Sequence, residues 1–171
     1  SSDKEKFDGV MLDIEPYISD SWKENPEEYM DRYISCMKKG YKFAQKNHLR
    51  TAICIPRHYD NQGLTSGLEE LIKETCDEVA VMNYSCGNEI EAIRTEAALS
   101  EKYGKELHCI LEFQEVGKHG LTENKTYRNK GIDNAKETWE KLQKEYKNIN
   151  VTRDYHWSRP VREMLEEKNA D

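Results

Sequence analysis

The sequence predicts an α/β chain: five parallel strands with intervening helices, forming part of a (β/α)8 barrel of the TIM type in a single partial domain over residues 1–171. Two observations lead there. Short apolar runs alternate with amphipathic helical segments along the whole chain, the pattern of βαβ units on a parallel sheet. A complete barrel takes about 250 residues, so five strands in 171 residues have the density of a barrel lacking three units. A complete open sheet, doubly wound, satisfies the same spacing, and both arrangements stay open at this level.

The elements follow in order. The first strand is expected over residues 7–14. After a loop, Asn25-Pro26-Glu27-Glu28 opens a helix with a capping Asn, Pro in the first turn and acids beside the positive helix end. Tyr29, Tyr33, Cys36, Met37, Tyr41 and Ala44 give that helix one apolar face at helical spacing. A second strand over 51–55 stops at Pro56, and a short helix beginning at Ser66 carries Leu68, Leu71 and Ile72. The third strand is expected over 78–84, followed by one helix over 89–103 that ends at Gly104 as a left-handed cap. A fourth strand over 107–113 leads through a long polar loop, 114–131, to a helix over 132–146. The fifth strand covers 151–157, and Pro160 introduces a last short helix.

Composition narrows the function. The net charge of −7 argues against nucleic acid as a partner, since phosphate binding needs clustered Lys and Arg. No stretch approaches the roughly 20 apolar residues of a membrane span, and no signal-peptide pattern is visible. The compartment is therefore open, with an extracellular or cell-surface location expected if a preceding segment carries a signal. Five cysteines without C-x-x-C spacing suggest neither a metal site nor a disulfide framework. No metal or organic cofactor is implied.

The chemistry concentrates at strand ends. Side chains alternate along a strand, so Met11, Asp13 and Glu15 share a face. Two carboxylates on one face of a parallel strand are costly unless a site uses them. A charged Asp13 beside Glu15 is expected to hold Glu15 protonated as a general acid, and catalytic groups of barrels sit at strand carboxyl ends. Glu112, on the face of His108 and Ile110, ends the fourth strand. Tyr17, Tyr59, Tyr84, Tyr155 and Trp157 fall at or just past strand ends, where flat apolar faces can stack on sugar rings. Arg57, His58 and His156 are candidate polar contacts, while Trp22 and Trp139 read as packing.

Asp8-Gly9-Val10-Met11-Leu12-Asp13-Ile14-Glu15 resembles the fourth-strand signature of the chitinase-like glycosidases, Asp-Gly-x-Asp-x-Asp-x-Glu. Met82-Asn83-Tyr84 resembles that family's sixth-strand Met-x-Tyr, and Trp157 falls where it places the tryptophan flooring the sugar pocket. The five strands then correspond to the fourth through eighth of a full barrel, its carboxyl-terminal part. A closer likeness is to uncharacterised bacterial barrels classed with the glycosyl hydrolases, which carry Leu-Asp-Ile-Glu-Pro-Tyr (here Leu12 to Tyr17) and a Glu ending a penultimate strand (Glu112). They also carry a Thr-Phe-x-x-x-Gly-like element, here Thr126 to Gly131.

The resemblance implies hydrolysis of a glycosidic bond, with an N-acetylhexosamine-containing glycan as a candidate substrate. Glu15 would be the acid, Asp13 and Tyr84 would orient a reacting N-acetyl group, and Trp157 would stack under the sugar. Met11 and Ser85 stand where the chitinase pattern has acids. That departure favours the alternative of a carbohydrate-binding barrel without turnover. Glu15 and Glu112 also resemble the carboxylate pair of a large clan of retaining glycosidases, for which the separation of the two acids would decide retention or inversion. Unpaired outer strands are expected to recruit a second copy, as a homo-dimer, or an amino-terminal half-barrel.

Overall fold

The computed structural model describes residues 5–170. They build an α/β fold on one five-stranded, all-parallel sheet made of β1 (Gly9–Asp13), β2 (Arg50–Pro56), β3 (Glu78–Met82), β4 (Glu106–Glu112) and β5 (Val151–His156). The strands lie in the order β1-β2-β3-β4-β5. A doubly wound sheet needs a reversal of strand order, with helices on both faces; the described residues show no reversal. They include seven α-helices: α1 (Asp20–Glu24), α2 (Pro26–Lys46), α3 (Thr65–Thr75), α4 (Glu89–Ala92), α5 (Arg94–Tyr103), α6 (Ile132–Glu145) and α7 (Ser158–Ala170). None is long and apolar enough to cross a membrane.

The two faces of the sheet differ. Ile53, Ile55, Val79, Val81, Leu107 and Leu111 point one way, fully buried, and pack with Met37, Leu68, Leu71, Ile72, Trp139 and Leu142 of the helices. Each such aliphatic burial contributes about 1.5–3 kcal/mol. The opposite face carries a smaller cluster, Cys54, Ala80 and Ile110, flanked by Met82 and Tyr84, with no helical residue in it. Helices therefore cover one side, and the other side holds the polar groups discussed below.

Local signals account for most boundaries. Asn25 caps α2 by accepting from the amide of Glu28, and Pro26 takes the first helical position. Gly9 is needed where β1 leaves the preceding turn: a Cβ there would lie 2.8 Å from the Arg50 carbonyl oxygen. The first strand is shorter than expected, Gly9–Asp13, the third stops at Met82, and three further departures bear on the site. The loop after β1 contains α1, capped by Ser19, whose Oγ accepts from Trp22 N at 3.2 Å. The helix expected over 89–103 is two, broken at Ile93, because Asn83 Nδ2 donates at 2.9 Å to the Glu89 carbonyl that Ile93 N–H would otherwise reach. The last strand ends at His156, so Trp157 lies beyond it.

Candidate active site

The five strand ends and the loops that leave them enclose a cavity of about 630 Å³. Asp13 closes β1, and Glu15 follows with Pro16 opening a single 3-10 turn. The Tyr17 hydroxyl in that turn donates to Glu15 Oε1. Its ring meets His58 edge-on, centroids 5.2 Å apart, so the loop after β1 is braced on the loop after β2. Arg57 and His58 line the cavity from β2, Met82 and Tyr84 from β3, Glu112 and Gln114 from β4, and His156 and Trp157 from β5. Asp13, Glu15, Tyr17, Arg57, Tyr84, Glu112, His156 and Trp157, all singled out from sequence, thus share one space at the carboxyl ends of parallel strands.

The charges are arranged unevenly. Burial raises the pKa of Asp13, and the negative charge of Glu15 adds to it, opposed by His156. Tyr84 is pushed up by burial and then by Glu112, Asp13 and Glu15, so its phenol keeps its proton and faces the cavity as a donor. Glu112, 2% exposed, behaves differently. Burial alone would raise it, but hydrogen bonds from His156 and Gln114 bring it below its ordinary value. Oε1 accepts from Phe113 N (2.8 Å) and Gln114 N (2.7 Å), and Oε2 from Gln114 Nε2 (3.1 Å), with His156 Nδ1 at 2.8 Å. A carboxylate has about four lone-pair sites, and all four are taken. Glu112 thus holds His156 with its acceptor sites filled. His156 is raised in turn, first by that hydrogen bond.

Two aromatic expectations are corrected. Tyr59 is fully buried, packed against Trp22 at a centroid distance of 5.6 Å, and is core rather than sugar platform. Tyr155 pairs in register with Leu111 and so points to the helix-covered face, away from the cavity that His156 enters. Trp157 is half exposed on the cavity with φ +61°, a left-handed conformation costly for a bulky side chain.

Sequence reasoning missed Gln114, His119 and Lys125, which reach the cavity from the 114–131 loop. The signal available was the length of that loop at a strand carboxyl end. Its Thr126-to-Gly131 element folds it back: Thr126 Oγ1 donates to the Gln114 carbonyl at 2.6 Å, and Tyr127 N donates to the Glu112 carbonyl at 2.8 Å.

A second polar cluster lies at the amino end of the same face. Ligand atoms of Glu78, Glu106 and His108 come within 4.8 Å of one another, close enough to hold a cation. Arg50 already pairs with Glu78 (2.8 Å) and Glu106 (2.9 Å). Both ring nitrogens of His108 are engaged at 2.7 Å, with Asp154 and Glu78. Arg50 thus already offsets charge in the cluster. No family model, curated protein or solved structure matches this chain.

Proposed function

We propose that this chain is the five-strand sector of a (β/α)8 barrel and acts as a glycoside hydrolase, cleaving a glycosidic bond by general acid catalysis. The observation that carries the reading is the single cavity at the carboxyl strand ends, in which Asp13, Glu15, Tyr84 and Trp157 meet. The strand order without reversal and the one-sided helix cover support the barrel sector, which three further strands would close between β5 and β1. Those strands come from another segment or a second copy of the chain.

In this reading Glu15, aimed by Tyr17, protonates the leaving oxygen. Asp13 and the protonated Tyr84 bracket the sugar's reacting group: the tyrosine orients the acetamido oxygen of an N-acetylhexosamine by a hydrogen bond, and the Asp13 carboxylate offsets the positive charge that develops as that oxygen attacks the anomeric carbon. Trp157 supplies the stacking surface. Glu112 holds His156 and favours its charged form, as do Asp13 and Glu15 across the cavity.

The test is hydrolysis of a panel of aryl glycosides and cell-wall fragments, comparing wild type with Glu15→Gln. Activity that the variant loses supports the reading. A second reading, a carbohydrate-binding barrel without turnover, is favoured by Met11 and Ser85, which put no acid where a relay would need one. Sugar binding in both proteins with hydrolysis in neither would select it.

A further inference from the structure

Arg32, Arg50, Arg94, Arg128, Arg153 and Arg159 each form an ion pair with a carboxylate. Arg57 and Arg162 form none among the described residues. Arg162 is exposed, whereas Arg57 is half-buried, lines the cavity just past β2, and makes no hydrogen bond among the described residues. None of the acids around it takes a hydrogen bond from it, although its charge opposes the burial that raises the pKa of nearby Glu96. Asp60 accepts from Asn61 N at 2.7 Å with one oxygen and from the Thr95 hydroxyl at 2.7 Å with the other. Glu96 is fully buried on α5 and takes no hydrogen bond from Arg57. Asp13 and Glu15 line the same cavity, yet neither pairs with the guanidinium.

A half-buried guanidinium with all its donors unused is poised for a ligand anion. Its planar fork matches a carboxylate or a sulfate through two parallel hydrogen bonds, which a sugar hydroxyl cannot reproduce. Lys125, exposed on the 114–131 loop, brings a second cation to the cavity and likewise forms no ion pair.

We propose that Arg57 selects an acidic glycan: it binds a carboxylate or sulfate ester carried by the sugar in the cavity, with Lys125 adding positive charge at the same site. This rests on the glycan reading of the cavity. Asp13 and Glu15 then face the scissile bond while the substituent lies toward β2, so one ligand satisfies both signs of charge.

The experiment is titration calorimetry on Glu15→Gln, which leaves ligands intact. Three probes of matched size are used: chitobiose, N-acetylglucosaminyl-N-acetylmuramic acid, and 6-O-sulfated chitobiose. At least one acidic probe should bind about tenfold or more tighter than chitobiose, the size expected of hydrogen bonds to a charged group. Which acidic probe is preferred separates carboxylate from sulfate. Adding Arg57→Gln should erase that preference and leave chitobiose affinity within about twofold, while Arg57→Lys restores part of it. Unchanged thermal unfolding midpoints establish that both variants are folded. Equal binding of all three probes, or an equal loss on all three in Arg57→Gln, overturns the proposal and leaves the glycan reading standing. Binding of none overturns both.

Discussion

His156 Nδ1 lies 2.8 Å from Glu112 Oε2 and joins the last two strands where they meet the cavity. Glu112 sits below its ordinary 4.5 in the folded state, so its contribution to stability is present above 4.5 and fades as pH falls. His156 sits above its ordinary 6.5, so its contribution is full below 6.5 and fades as pH rises through the raised value. The pair therefore stabilises most between about pH 4.5 and 6.5. Glu112→Gln should lose most stability in that window, read by urea unfolding at several pH values, and the His156 ring resonance should titrate closer to 6.5. A titration that does not move would show that Glu112 does not set the charge of His156.

Tyr17 aims Glu15, and the two should separate kinetically. On the proposed hydrolase reading, Glu15→Gln is expected to cut hydrolysis by roughly 10²–10⁴, the range of a positioned proton donor. Tyr17→Phe keeps the ring against His58 and removes one hydrogen bond, so about a tenfold loss is expected. Equal losses in both would mean that Tyr17 does more than orient the acid.

Glu96 carries a stability switch near neutrality. It is fully buried, neither carboxyl oxygen has a partner, and its pKa is raised to about 7, by burial first. Its folded value exceeds its unfolded one, so stability falls as pH rises from 4.5 through 7, by roughly 3 kcal/mol in all. Glu96→Gln should flatten that segment of the stability–pH curve. A wild-type curve already flat from pH 5 to 8 would refute the assignment.

Trp157 trades backbone strain for surface. Asn tolerates a positive φ better, so Trp157→Asn should leave stability unchanged or raised by about 1 kcal/mol. Sugar affinity should drop by tenfold or more if the indole is a stacking surface. A variant that loses stability instead would make Trp157 a packing residue.

Much of this arrangement was legible in the sequence because strands have a period of two. Asp13 closes β1 and Glu15 follows just past the strand end, both on the cavity, and the β-branched runs marked β2 and β3. The same alternation makes Tyr155 and His156 opposite-facing, so proposing both for the cavity could not succeed. Tyr59 went astray for a longer-range reason: it is buried by Trp22, which lies on α1, a five-residue helix inside an apparent loop. The break at Ile93 depends on Asn83, ten residues earlier, and no periodicity reports that. His119 and Lys125 sit in a loop with no period at all.

The layer of Arg50, Glu78, His108 and Asp154 has a consequence for how the sheet opens. It bolts β2, β3, β4 and β5 to one another through side chains as well as backbone. β1 shares no part of it, forms an outer strand of five residues, and exposes Val10 and Met11. Under native conditions the amides of β1 should exchange with solvent well before those of β3 and β4. Asp13 closes that first-to-open strand and Glu15 follows it, so each opening of β1 also loosens the acid side of the cavity.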